Sequence, residues 1–193
     1  MNFEFGKALL KHKEIIFKWL DEPHMREFWD NSQEHRDDIV NFMEGRKESS
    51  TYFNGDFTYW IGSIDNQPFC FLMTAKVDCT DGYPLIWKEY LSNTGHTYSI
   101  DFGIGNKNFI GKGLAAPVLT SFIDFFRFQI DSKADTFFID PDEKNPRAQH
   151  VYTKAGFQLV GDFIPEKGVF SGQKTCLMVK IFLPKFNGNS HVL

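Results

Sequence analysis

The chain has little of what several protein classes require. It carries three cysteines, Cys70, Cys79 and Cys176, an odd number. They are widely spaced and form no Cys-x-x-Cys pair, which excludes a disulfide-stapled scaffold and fits a reduced, cytoplasmic compartment. The six histidines are scattered and make no His-Glu-x-x-His or similar ligand pair, so no metal is expected. No apolar run approaches the ~20 residues that span a bilayer. The start, Met1-Asn2-Phe3-Glu4-Phe5, has neither the basic region nor the long apolar region of a signal peptide, and no membrane partner is expected. An excess of basic residues is missing too. The formal net charge is −4, which argues against nucleic acid as a partner, because phosphate binding needs a basic surface. It permits a cationic substrate.

What is present is ordinary for a globular protein: 42% hydrophobic and 24% charged residues, with neither disorder nor a fibrous class favoured. The 22 Phe are the expected core material. No repeat, low-complexity tract or linker divides the chain. Its 193 residues are therefore expected to form one domain over 1–186, with a frayed tail at 187–193.

Periodicity sets the element order. A short edge strand is expected at 3–6, a helix at 10–20, short helices at 24–29 and 37–44, and a polar, glycine-bounded loop at 45–55. Strands at 58–64 and 69–77 are joined by Asp65-Asn66-Gln67-Pro68, which reads as a hairpin turn. A long connection covers 78–95. A strand at 97–105 alternates Ile100, Phe102 and Ile104 against Asp101, Gly103 and Gly105. After Gly113 a helix shows Leu114, Val118, Phe122, Phe125 and Phe126 at helical spacing. A strand at 136–140, a helix at 145–155 capped by Gly156, and strands at 157–163 and 175–182 complete the order. The central strand–helix–strand requires a right-handed crossover and a parallel pair, whereas the flanking hairpins are antiparallel. The class is α/β with a mixed central sheet.

The segment 100–157 carries the chemistry. A Gly111-Lys112-Gly113 turn opens a helix whose first amides have no internal partner and carry partial positive charge, a place for a phosphate. A second helix begins at Asn145-Pro146-Arg147-Ala148 and places Tyr152 two turns after Asn145 on the same face. Gly103 and Gly105 mark either a close backbone approach or packing against a facing helix. Asp101 is costly to bury alone on its strand face, so it either reaches a cleft or is paired. Tyr152 is either a core aromatic or a proton donor, and Lys112 either a phosphate partner or an exposed lysine. Asp140 falls beyond the carboxyl end of a parallel strand, where α/β sheets bind ligands. Together with Asp81, Glu89 and Glu166 it can form an acidic pocket for a polyamine. Taken singly, each of these acids is a solvated loop residue. Trp29 and Trp87 are either flat walls for sugar rings or packing anchors. Cys70, within a β run, is expected to be buried filler.

These features together resemble the GNAT superfamily of acetyl-CoA-dependent N-acetyltransferases, and within it the aminoglycoside 6'-N-acetyltransferases. The matching residues are Trp19-Leu20…Pro23-His24…Phe28-Trp29, Asp81-Gly82…Trp87-Lys88-Glu89, Ile100-Asp101 before the Gly-Lys-Gly turn, and Asp140-Pro141…Asn145-x-Arg147-Ala148…Tyr152-x-Lys154-Ala155-Gly156-Phe157. Asn108 stands where the superfamily's turn usually begins with Gln or Arg, and Ala115 supplies the small residue after the turn.

The resemblance implies a mixed sheet with helices on both faces and acetyl-CoA as co-substrate, without metal. It implies a cofactor site along Phe102, Gly103, Ile104 and Gly105, around Ile110, Gly111, Lys112, Gly113, Leu114 and Ala115, and at Asn145 and Arg147. Asn145 can equally be only a helix cap. Asp101 is the implied acceptor-binding acid and base and Tyr152 the implied acid toward the departing sulfur. Trp29, Asp81, Trp87, Glu89, Asp101, Asp140 and Glu166 are the expected acceptor contacts. The expected acceptor is a small cationic amine such as an amino sugar, and the expected state a monomer or homodimer. Rival acceptors are a hydroxylysine-like siderophore precursor or a protein amine; a rival class is a non-catalytic CoA-binding sensor.

Overall fold

A computed structural model describes residues 2–48, 50–78 and 83–183. Cys79, Asp81 and the expected tail at 187–193 lie outside the described residues. Seven strands form one sheet: β1 (Phe3–Lys7), β2 (Thr58–Ile64), β3 (Gln67–Val77), β4 (His96–Ile104), β5 (Ala134–Ile139), β6 (Gln158–Phe163) and β7 (Thr175–Ile181), in the order β1-β2-β3-β4-β5-β7-β6. Among the described residues only β4 and β5 pair in parallel. That is the parallel pair that the intervening helix demands. The last two strands form the expected antiparallel pair, but β7 sits between β5 and β6.

The helices are α1 (Lys13–Asp21), α2 (Pro23–Arg26), α3 (Gln33–Met43), α4 (Leu85–Glu89), α5 (Ala115–Phe125) and α6 (Pro146–Lys154). Several boundaries differ from expectation for identifiable reasons. The stretch before α1 is a 3-10 turn, Leu10–His12. The second helix stops at Arg26. The third starts at Gln33, because the Ser32 hydroxyl accepts the His35 N–H and caps it. Asp65 and Asn66 both take positive φ, +50° and +62°. They make a two-residue hairpin turn, so β3 starts at Gln67 and Pro68 lies within it beside a bulge at Gly62/Ser63. The expected loop 78–95 contains α4. At the far end of α5 the backbone widens into a π turn, Phe126–Ile130.

Strand alternation divides the core between two sheet faces. Trp60, Leu72, Ile100, Phe102, Phe137 and Met178 pack on one face beneath Val118, Leu119, Phe122 and Phe126 of α5 and its π turn, with Tyr152 of α6. Tyr59, Ile61, Phe71 and Met73 face the other way, under Ile16, Trp19 and Leu20 of α1, Met25 of α2 and Ile39 of α3. Val77, Phe138, Leu177 and Val179 continue that second face under Trp87 of α4. Phenylalanine supplies much of the core: Phe69, Phe71, Phe122, Phe126, Phe137, Phe138 and Phe157 are all buried, while Phe53 and Phe128 are exposed. Cys70 and Cys176 are free and buried, and burial pushes the Cys70 thiol far up, so it is inert filler. Among the described residues no helix is long and apolar enough to cross a membrane.

Phe122 contacts the rings of Phe5, Trp60, Phe125 and Phe126 and has no exposed surface. Phe122→Ala is expected to lower unfolding stability by about 3–5 kcal/mol, measured by urea denaturation; a loss under about 1 kcal/mol would show that the site collapses around the hole.

Candidate active site

β4 and β5 lie side by side only from His96 and Ala134 to Ser99 and Phe138. Beyond Ser99, β4 stays paired with β3 as far as Ile104 opposite Cys70, and β5 stays paired with β7 through Ile139 opposite Met178. The two central strands therefore part, and a wedge opens between their carboxyl ends, where open α/β sheets take ligands.

Three functional side chains converge on this wedge. Asp101 lies opposite Met73 and so on the face covered by α1–α3. Asp140, two residues beyond Phe138, points to the same face. Tyr152 comes from α6 on the other side of the sheet and is 8% exposed. Burial pushes the Asp101 carboxyl up to about 7. Asp140 is raised well above the usual carboxylate range by burial and then by the charge of Asp101. The Tyr152 phenol is raised by burial and then by Asp101 and Asp140. Asp140 and Tyr152 both carry the influence of the Asp101 charge, which sets the three in one neighbourhood at the end of the wedge. Among the described residues neither carboxyl has a cationic partner within ion-pair distance. Two adjoining acids without a counterion among the described residues hold a standing attraction for a cation, and they give up their protons as a pair.

Gly103 and Gly105 are explained by crowding. A Cβ on Gly103 would stand 2.8 Å from the Met25 thioether and 3.0 Å from the Trp29 indole nitrogen, and one on Gly105 would run into the Trp19 ring. Packing against a facing helix is therefore what their side-chain positions require. The backbone edge of β4 from Ile100 to Ile104 still faces the wedge, since the β5 register ends at Ser99. The Ile104 carbonyl is fixed by His24 Nε2 at 2.9 Å. Trp29 packs on Phe71 at 5.2 Å beside Gly103, so it borders the Asp101 face.

Gly111 and Gly113 are required for a different reason. Nothing lies within 4 Å of a Cβ at either, but their φ values are +77° and +71°, a handedness that L side chains resist. The turn delivers the chain into α5 at Leu114, which makes no side-chain cap. Among the described residues no acceptor takes the N–H groups of Gly111, Lys112, Gly113 or Leu114. Gly111, Lys112 and Gly113 are exposed, and Leu114 anchors the turn in the core. Lys112 Nζ lies 5.4 Å from the Phe109 ring centroid. Ile110 donates its N–H to Lys107. The exposed Asn108 has its own N–H held by the Asn106 side chain. Free amides at a helix start can cradle a diphosphate.

The remaining expected residues separate. Asn145 caps α6, its Oδ1 accepting the Ala148 N–H at 3.0 Å, and Arg147 is exposed on the first turn. Trp87 is a buried anchor, packed on Tyr83, Phe138 and Phe163, its indole N–H without an acceptor among the described residues. Glu89 and Glu166 are exposed, and among the described residues no hydrogen bond or ion pair joins either to Asp140. Asp81 lies outside the described residues. Sequence reasoning passed over Tyr52, Asp30 and His35. Burial and then the charges of Asp30 and Asp101 raise the Tyr52 phenol, and its ring stacks on His35 at 4.8 Å, although Tyr52 belongs to a stretch that reads as a polar loop. Among the described residues no group of His, Cys, Asp and Glu could hold a metal. A 260 Å³ hollow lined by Lys7, Trp60, Lys76 and Tyr98 contains none of these site residues.

Known proteins bear on this arrangement. The family described as an acetyltransferase (GNAT) domain matches residues 8–164. An aminoglycoside N(6')-acetyltransferase type 1 of Klebsiella pneumoniae is 25% identical over 148 residues, covering 76% of this chain and 69% of that protein. The crystal structure of an aminoglycoside N(6')-acetyltransferase from Legionella pneumophila superposes with a TM-score of 0.71 at 25% identity, covering 94% of each chain. An aminoglycoside acetyltransferase AAC(6')-Ib in complex with coenzyme A and kanamycin gives a TM-score of 0.71 at 20% identity, over 93% of this chain and 95% of that one. The open wedge, the turn of free amides and the family match over most of the length agree, and the chain belongs to the GNAT acetyltransferases.

Proposed function

We propose that this acetyltransferase moves the acetyl group of acetyl-CoA to a primary amine of a small polycationic acceptor, an aminoglycoside-like amino sugar acetylated at its 6'-amino group. The observation that carries this reading is the cluster of Asp101, Asp140 and Tyr152 at the mouth of the wedge, two acids with no counterion among the described residues beside a buried phenol. Bound acetyl-CoA supplies an activated thioester. The amides of Gly111–Ala115 and the Lys112 ammonium are suited to its diphosphate, and the free edge of β4 at Phe102–Gly105 to its amide-bearing arm, with Asn145 and Arg147 alongside. A backbone N–H on that edge can receive the carbonyl oxygen as it gains charge.

The acceptor arrives as an ammonium, because alkyl amines have a pKa near ~10. Asp101 and Asp140 draw it in, and Trp29 offers it a flat wall. Asp101 takes the proton, directly or through water, and leaves the nitrogen a lone pair. The C–N bond then forms as the C–S bond breaks. The sulfur leaves with the bonding pair and takes a proton from Tyr152, and the new amide nitrogen sheds its second proton, which restores the phenol directly or through water. None of these residues makes a nucleophile–base pair, so transfer is direct. We place the enzyme in the cytoplasm, where acetyl-CoA is available.

Thiol release from acetyl-CoA, followed with a panel of amino sugars, linear diamines, hydroxylysine and lysyl peptides, tests the acceptor. Amino sugars are expected to give the highest kcat/KM; release with peptides alone would overturn the amino-sugar reading, and CoA binding without release for any amine would favour a sensor. Asp101→Asn and Tyr152→Phe are each expected to lower kcat about 10²-fold or more with little change in acetyl-CoA affinity. Unaltered turnover in either removes that residue from the mechanism.

Asp101 works only when ionised. Its carboxyl titrates at about 7, so kcat/KM is expected to rise with pH through that value and to fall away below it. A rate independent of pH between 5 and 8 would exclude it as the base. Gly113→Ala forces an L side chain to φ +71°. A strain of about 1–2 kcal/mol is expected to raise KM for acetyl-CoA roughly tenfold while kcat is kept.

A further inference from the structure

The peptide between Ile104 and Gly105 is held from several sides. The His24 ring, on α2, places Nε2 2.9 Å from the Ile104 carbonyl oxygen. A carbonyl only accepts, so Nε2 carries the proton. One residue beyond Gly105, the Asn106 N–H donates to the Phe69 carbonyl of β3 at 3.0 Å. The Trp19 ring fills the space that a side chain at Gly105 would need. Lys107 then pairs at 3.7 Å with Glu22, at the corner between α1 and α2. The Gly105 N–H is the exception. Gly105 is buried, and among the described residues no acceptor takes its N–H. Proteins seldom leave a buried backbone donor unmet.

The direction of that donor follows from its neighbours. Along an extended chain successive N–H groups point to opposite edges of the strand. The Asn106 N–H points to β3, so the Gly105 N–H points the other way. That is the side from which β5 has parted, since its register with β4 ends at Ser99 and Phe138. A trans peptide is planar and sets its C=O and N–H in opposite directions. The hold of His24 on the Ile104 oxygen therefore fixes where the Gly105 hydrogen aims.

We propose that His24 is a positioning residue for the acyl donor: by holding the Ile104 carbonyl it aims the Gly105 N–H into the wedge, where this N–H meets an amide carbonyl oxygen of the acetyl-CoA arm. This rests on the reading of the β4 edge as the seat of that arm. His24 acts through the peptide plane. Without it the plane is free to turn, and a hydrogen bond weakens steeply as its angle falls toward about 120°. The contact to the arm is the same before and during transfer, so its loss appears in KM and not in kcat.

Two measurements test this. Initial rates are compared for wild type, His24→Ala and His24→Gln with acetyl-CoA and with S-acetylpantetheine, which keeps the arm but lacks the nucleotide and diphosphate. His24→Ala is expected to raise KM about fivefold for both donors, the worth of one neutral hydrogen bond, with kcat kept. A Gln side chain also offers an N–H, and His24→Gln is expected to bring KM back to within about twofold of wild type. In protein isotope-labelled at its glycine nitrogens, coenzyme A is expected to move the Gly105 amide proton downfield in wild type and to leave it nearly unmoved in His24→Ala. An unchanged KM in His24→Ala, a rise for acetyl-CoA alone, or a fall in kcat without a rise in KM overturns the proposal. So does a Gly105 amide that responds equally in His24→Ala. A Gly105 amide that ignores coenzyme A in wild type overturns the reading of the β4 edge, and the proposal with it. The wild-type spectrum thus tells the two failures apart.

Discussion

The site depends on a pairing that stops. Parallel strands held by a continuous ladder leave no room between them, and β4 and β5 keep their ladder only up to Ser99 and Phe138. Each then continues against its other neighbour, β3 on one side and β7 on the other, so the gap is held open from both flanks. The β4 edge keeps backbone groups free for an extended ligand arm, in the manner of strand addition to an open sheet edge. The same gap lies between Tyr152, packed in the core on one face of the sheet, and Asp101, whose strand position faces the other.

Electrostatics follow from that opening. Asp101 and Asp140 are brought together by the ends of two strands, with no arginine or lysine to compensate them among the described residues. Elsewhere acids do find partners: the buried Asp38 is paired with Arg46 and accepts from Tyr59, and the half-buried Asp131 accepts from His96 and Tyr98. The contrast marks the wedge as a place where the missing positive charge is to come from outside. On the proposed reading, a cationic acceptor would ionise the pair on entry, while a neutral or anionic molecule would meet two half-buried acids that repel it or leave it unpaired.

Much of the fold was legible because its signals are local. Alternation in Ile100–Ile104, the glycine-bounded turn at Gly111–Gly113, and the Asn145-Pro146 helix start depend on φ, on capping and on face periodicity, each readable from a few neighbouring residues. The insertion of β7 between β5 and β6 was not legible, because nothing in a strand's own residues names its partner. Trp87 shows the same limit, since an aromatic in a loop-like stretch looks alike whether it walls a pocket or plugs a core. Gly103 and Gly105 were flagged for good cause, yet the crowding comes from Trp19, Met25 and Trp29, far away in the chain. Tyr52, Asp30 and His35 carried no local signal at all: their arrangement exists only once α2, α3 and the connection to β2 have folded together.

The strand order has an implication for how the molecule is made. β6 pairs only with β7, and the outer edge of β5 is filled by β7. Synthesis proceeds from the amino end, so β5 and β6 leave the ribosome before the strand that joins them. Until residues 175–181 arrive, the edge of β5 next to Asp140 is bare, and bare edges recruit other chains. The acidic wall of the wedge is thus the last part of the sheet to be secured, and a nascent chain halted short of β7 presents an aggregation-prone strand instead of an acceptor site.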